Sequence, residues 1–212
     1  MKKNLIAAIP LVLILTGCGK MMDENQCLVA DWRTIGFQDG SAGRDMSWLE
    51  RRGEACAEFG VRPDMDQYLM GRDQGLANYC QPRRGFEIGR RGGTYNNVCA
   101  QQSEGQFLAA YQDGRGLRER ENHVSSLDHA INDTINAINA LENQLTEDAI
   151  ALAMTDMTTQ QRIDYALTIK EMAEERGALQ QSLPQMQAEL EAARADLSAF
   201  ASSIAGRYPG AI

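Results

Sequence analysis

Apolar residues recur at steps of four and three, without a slip, from Tyr165 to Ile204. The series is Tyr165, Ile169, Met172, Leu179, Leu183, Met186, Leu190, Ala193, Leu197, Phe200 and Ile204, with the charged Arg176 filling the step between Met172 and Leu179. A mean spacing of about 3.5 residues lays one stripe along a helix and is the signature of a coiled coil. An earlier run, Leu117, Val124, Leu127, Ile131, Ile138, Leu141, Leu145 and Leu152, keeps a single register, with Thr134 and Asp148 as its weak positions. A polar connector lies between the runs, and Thr158 with Gln161 forms a capping-box pattern at the start of the second. Helices over 104–152 and 159–205 would each be about 70 Å long. Matched arms and a short connector predict an antiparallel hairpin. Pairing in register puts Ile204 beside Phe107 and Leu183 beside Ser126 and Leu127. Pro184 removes a helix hydrogen bond and crowds the preceding turn. A kink is expected there, or else a break with Ser182 capping a third helix.

The chain ahead of the hairpin has another composition. Between residues 18 and 120 there are 14 basic and 15 acidic side chains, against 5 and 14 from 121 onward. That shift marks a domain boundary. A net acidic chain also lacks the electrostatic footprint of a nucleic-acid binder. Glycines recur in short blocks: Gly36 to Gly40, Gly71 to Gly75, Gly89 to Gly93, and Ala110 to Gly114. Small residues four apart share a helix face, and repeated glycine there is consistent with close approach of helix backbones; the alternative is that several of them end helices. Ser47 is expected to cap a helix running to Phe59 and stopped by Gly60. Asp64 should open a second helix reaching Tyr79, and Ser103 with Gln106 suggests a further capping box.

The amino terminus reads as a secretory leader. Met1-Lys2-Lys3 is basic, and Leu5 to Leu15 is apolar but shorter than the roughly 20 residues of a spanning helix. Leu15-Thr16-Gly17-Cys18 resembles the lipobox of bacterial lipoproteins. The resemblance implies cleavage after Gly17, a lipid on Cys18, and two or more acyl chains as a stable anchor. Gly19, in place of an aspartate, implies the outer membrane, periplasmic face, in a Gram-negative host. Four cysteines remain, Cys27, Cys56, Cys80 and Cys99, an even number in an exported chain, which points to two disulfides. Three pairings are possible; joining sequence neighbours gives Cys27–Cys56 with Cys80–Cys99. Their separations lack the short pairs of a zinc module.

Asp31-Trp32, Gly36-x3-Gly40, Cys56, Tyr68-x2-Gly71-x3-Gly75-x4-Cys80, Gly89-x3-Gly93, Tyr95-x3-Cys99 and Tyr111-x2-Gly114 together resemble an uncharacterised bacterial lipoprotein family, the domain of unknown function 2799, over about residues 27–116. The resemblance brings no activity with it. The expected fold is all-α, a small disulfide-stapled helical domain with a long antiparallel coiled-coil hairpin at the C-terminus. Its expected parts are a signal peptide (1–17), a lipidated tether (18–26), a Gly/aromatic/Cys-rich domain (27–116), the hairpin (117–205) and a tail (206–212).

Chemistry is sparse. His123 and His129 are six apart, outside helical metal spacing, and nucleophile-elbow, phosphate-loop and zinc-protease motifs are missing from the sequence. No metal or cofactor is expected. Asp39 and Asp113 hold equivalent repeat positions and read as capping or ion-pairing carboxylates. Arg83, Arg84, Arg90 and Arg91 could grip phosphate or carboxylate groups through bidentate bonds; the alternative is a solvated loop. These readings favour a non-catalytic envelope lipoprotein. Its partners would be the membrane, through the lipid, and a protein or a second copy, through the coiled coil. The alternative is a module binding an anionic glycan or lipid. The acidic hairpin is expected to project from the bilayer, its turn near 155–158 farthest from the lipid.

Overall fold

The computed structural model describes residues 21–210. The leader and Cys18 lie outside the described residues. Those described form seven helices and no strand: α1 (Glu24–Leu28), α2 (Trp32–Ser41), α3 (Ser47–Ala57), α4 (Met65–Tyr79), α5 (Pro82–Arg91), α6 (Gln101–Met154) and α7 (Thr159–Ala205). The chain divides into two compact units, one up to Asn78 and one from Tyr79. The composition shift near residue 120 falls inside the second unit, within α6. The division itself lies close to the end of α4, and α5 and α6 are in the second unit.

Local chemistry explains most helix ends. Asp23 and Gln26 close a capping box on α1. The Asp31 carboxylate accepts from the backbone N–H groups of Arg33 and Thr34 at the start of α2. Ser47 does not act as the expected cap. Asp45 takes over, its carboxylate accepting from both the N–H and the hydroxyl of Ser47. Gly60 does supply the left-handed residue after α3, at φ 72°. Asp64 accepts from the Gln67 N–H at the head of α4. Pro82 sits in the first turn of α5, where its missing N–H costs little, and Gly92 ends that helix in the left-handed region.

In the first unit, Met22, Cys27, Trp32, Leu49, Cys56 and Tyr68 form one buried cluster. The Cys27–Cys56 disulfide crosses it. In the second unit the Cys80–Cys99 disulfide ties the start of α5 to the loop before α6. Both bridges join the sequence neighbours, as expected. Tyr79 stacks on Phe107, with centroids 5.3 Å apart, and Tyr95 lies against the same ring at 4.8 Å.

The long helices pair as an antiparallel hairpin. α7 has the expected bounds, and Thr158 and Gln161 form its capping box. Every member of the series from Tyr165 to Ile204 is buried or half-buried, as are Thr134 and Asp148. α6 is longer than expected: it begins at Gln101, so Ser103 lies inside it and donates to the Ala100 carbonyl instead of capping. α7 is continuous through Pro184, so no third helix starts there. Ser182 donates to the Leu179 carbonyl in the same helix.

The register differs from the simple pairing. Arg120 meets Asp196 at 2.8 Å, Asp128 meets Arg194 at 3.3 Å, and the Thr134 hydroxyl lies 3.8 Å from the Met186 sulfur. Each contact is displaced by more than a turn from the pairing expected of arms ending at 152 and 159. The extra turn-side residues of α6, to Met154, account for part of the displacement. Ile204 shares a buried cluster with Ala110, Leu117, Phe86 and Tyr208.

Candidate functional site

Two helix pairs carry the glycine blocks, one in each unit. In the first, a Cβ on Gly36 would strike the Tyr68 carbonyl, and one on Gly40 the Arg72 carbonyl. Reciprocally, a Cβ on Gly71 would meet the Arg33 carbonyl, and one on Gly75 the Phe37 carbonyl. α2 and α4 therefore approach backbone to backbone along both blocks. In the second unit, Gly85 abuts the Phe107 carbonyl, Gly89 that of Tyr111, and Gly114 that of Phe86. The motif on α5 is thus Gly85-x3-Gly89. The expected block at Gly89 to Gly93 is displaced by four residues, because Gly92 has already ended the helix. Matching these contacts places α6 in the role of α2, and α5 in the role of α4.

The match brings Asp39 and Asp113 to equivalent places, and each receives a tyrosine hydroxyl and arginine. Asp39 is fully buried. It accepts from Arg44 at 2.8 Å, from Arg52 at 2.9 and 3.2 Å, and from the Tyr68 hydroxyl at 3.0 Å. Burial alone would raise its pKa. The hydrogen bonds of Arg52, Arg44 and Tyr68 outweigh burial and hold it below the ordinary carboxylate value. The phenol of Tyr68 is pushed up to about 12 by burial and by the charge of Asp39. Arg72 extends this group: it is 8% exposed and donates to the Arg44 carbonyl at 2.8 Å. Arg44 also stacks on Trp48, 3.9 Å from the ring centroid.

On α6, Asp113 accepts from the Tyr208 hydroxyl at 2.7 Å and pairs with Arg207 at 3.0 Å. Burial, then the bond to Asp113, raises the Tyr208 phenol to about 12. The Tyr208 ring stacks on Phe86 at 4.3 Å. In α5, the position equivalent to Tyr68 is Pro82, so the hydroxyl for Asp113 comes instead from beyond the end of α7. Residues 206–208, read in the sequence as a tail, thereby close the second core.

The arginines singled out in the sequence lie on α5. Arg83, Arg84 and Arg91 all engage Glu87, at 3.4, 3.4 and 3.8 Å. Arg90 pairs with Glu121 of α6 at 2.9 Å. The four guanidiniums thus surround protein carboxylates. A cleft of about 270 Å³ opens at the end of α5, lined in part by Gly92, Thr94, Tyr111, Arg115, Arg118 and Glu119. Arg115 is paired there with Glu119 at 3.0 Å. Among the described residues no group of three or more His, Cys, Asp or Glu could hold a metal ion. None of the described helices is long and apolar enough to cross a membrane.

Comparison with known families matches residues 31–116 to the family DUF2799, described as a protein of unknown function. The match starts at the cap of α2 and ends within α6, covering both glycine-packed helix pairs and leaving out most of the hairpin. No curated protein and no solved structure matches the chain.

Proposed function

We propose that this protein is a lipid-anchored envelope lipoprotein with a structural or interaction role and no catalysis of its own. The observation that carries the reading is Leu15-Thr16-Gly17-Cys18 behind a basic and apolar leader. Both disulfides support it, since such bonds persist in oxidising compartments. Gly19 favours the outer membrane facing the periplasm. The hairpin is the interaction element, its two arms pairing as a coiled coil and offering their outer faces. Ile150, Met154, Ile163 and Leu167 are large apolar residues left exposed near its turn, at 54, 82, 49 and 54%. The acidic hairpin projects from the bilayer rather than lying on an anionic leaflet.

Photo-crosslinkers placed at Ile150 and Ile163 in intact cells should capture a specific protein neighbour or a second copy. Uncaptured, strictly monomeric protein at both positions would sink the interaction role. The anionic-ligand reading has narrower support, because Glu87 and Glu121 already engage the four arginines. Calorimetry with lipid A fragments, comparing wild type with the R83A/R84A/R90A/R91A variant, tests it; equal heats for both would end it.

A further inference from the structure

We propose that Leu28 and Val29 form an apolar knob that beds into the bilayer holding the lipid of Cys18. The inference rests on the anchor reading and deepens it, from tethering to direct contact.

Leu28 is 60% exposed and Val29 is 81% exposed, although both directly follow a fully buried cysteine. Cys27, just before them, is fully buried and bridged to Cys56. The Val29 N–H donates to the Asn25 carbonyl and the Ala30 N–H to that of Cys27. Two residues later Asp31 caps α2. The pair is therefore held outward by structure on both sides, as a rigid projection.

The anchor is close by. Met22 is 5% exposed, belongs to the core cluster, and its sulfur lies 3.9 Å from the Cys56 sulfur. The tether is thus shorter than the eight residues from Gly19 to Gln26, because the folded core already includes Met22. Three residues, Gly19 to Met21, lie between Cys18 and Met22, and the four steps from one to the other reach at most about 14 Å. Cys56 touches Met22 and is bonded to Cys27, so the knob follows directly on the point where the tether enters the core. A bilayer within that reach is the apolar medium nearest to the two side chains, and side chains of this kind insert at the boundary of headgroups and acyl chains. Asp23 and Glu24 open the same helix. These carboxylates oppose attraction to anionic headgroups at the knob itself, so the contact of Leu28 and Val29 rests on apolar insertion, beside whatever Lys20 of the tether contributes.

The test uses the full-length protein purified from membranes and reconstituted into phosphatidylethanolamine–phosphatidylglycerol vesicles, with or without bromine on the acyl chains. Mass spectrometry of the N-terminal peptide first establishes the lipid. Val29→Trp and, separately, Leu28→Trp report insertion after subtraction of the wild-type signal. Each added tryptophan should emit blue-shifted light and lose about half or more of its intensity in brominated vesicles, as expected for burial of roughly 5–10 Å. A lipidated protein whose added tryptophans keep the emission of water and escape quenching overturns the inference and leaves the anchor standing. If they are blue-shifted but unquenched, a protein surface covers the knob, and the inference again fails. An N-terminal peptide without acyl mass overturns both.

Discussion

Gly36 lies so close to the backbone carbonyl of Tyr68 that a single added methyl group would collide with it. The contact is backbone on backbone, so no side-chain rotation can relieve it. Gly36→Ala and Gly75→Ala should each lower stability by about 1–3 kcal/mol, the usual cost of overpacking. Gly177 lies in α7 with nothing near its missing Cβ, and alanine there should instead stabilise by roughly 0.5–1 kcal/mol. Denaturant midpoints of the three variants decide the matter. Equal effects at Gly36 and Gly177 would mean that close helix approach does not explain the glycines.

Asp39→Asn keeps the shape of the side chain and removes its charge. Arg52 is left nearly buried, at 13% side-chain exposure, without its carboxylate. Breaking a buried pair from one side costs about 3–5 kcal/mol; the partial exposure of Arg44, at 35%, points to the lower end. The same group sets an acid limit. Its folded pKa lies below the ordinary value of 3.8, so its contribution is complete above that value and is lost as pH falls below it. Stability of wild type should therefore drop steeply below about pH 4, and the Asp39→Asn variant should show a shallower drop.

The tyrosines set an alkaline limit of opposite sign. Tyr68 and Tyr208 hold their protons up to about 12 in the folded chain, against an ordinary 10.0. Their contribution is complete below pH 10 and is lost as pH rises through 12. Burial also raises the phenols of Tyr79 and Tyr95, and the bond to Asp148 that of Tyr165, so absorbance at 295 nm should show most phenols titrating late, with those of Tyr68 and Tyr208 last. Tyr208→Phe should remove one of these late phenols while leaving Tyr68 in place. A count of late phenols unchanged from wild type would contradict the pairing of Tyr208 with Asp113.

What the sequence revealed follows from the range of each signal. The a and d positions of α7 could be read directly because a 3.5-residue spacing is local. Every one of them is at least half-buried. The close packing of glycines was legible as a motif, yet one block was misplaced. Gly89 belongs with Gly85, and Pro82 with Gly92 were the cues that the helix ends before Gly93. Pairing across the hairpin was only roughly legible, because spacing within each arm does not fix how far one slides along the other. Asp39 was legible as an ion-pairing carboxylate, and it does pair with arginines, but the members of its cluster were not, for a related reason. Arg44, Arg52 and Tyr68 come from three parts of the chain and converge only through the fold. Tyr208 lies beyond the last periodic residue, where pattern offers nothing to read.

The hairpin holds a buried carboxylate against the trend of its core, and it gives the last prediction. Asp148 is 9% exposed at a heptad position. It accepts from the Tyr165 hydroxyl at 3.1 Å across the hairpin and from the Gln144 amide at 3.0 Å within α6. A polar residue at such a position lowers stability and fixes register and pairing. Asp148 lies near the turn, where α6 and α7 must start in the correct alignment. Asp148→Leu should raise the melting temperature, since an apolar side chain of similar size replaces a charged carboxylate at a buried position of the apolar stripe. It should also loosen the alignment, because the apolar stripe alone permits a slide of one heptad. Chemical crosslinks between Arg194 and Asp128 neighbours, sharp in wild type, should then spread to positions about seven residues away. A variant that is more stable yet keeps a single crosslinking pattern would show that the register is set elsewhere, with the Arg120–Asp196 pair as the next candidate.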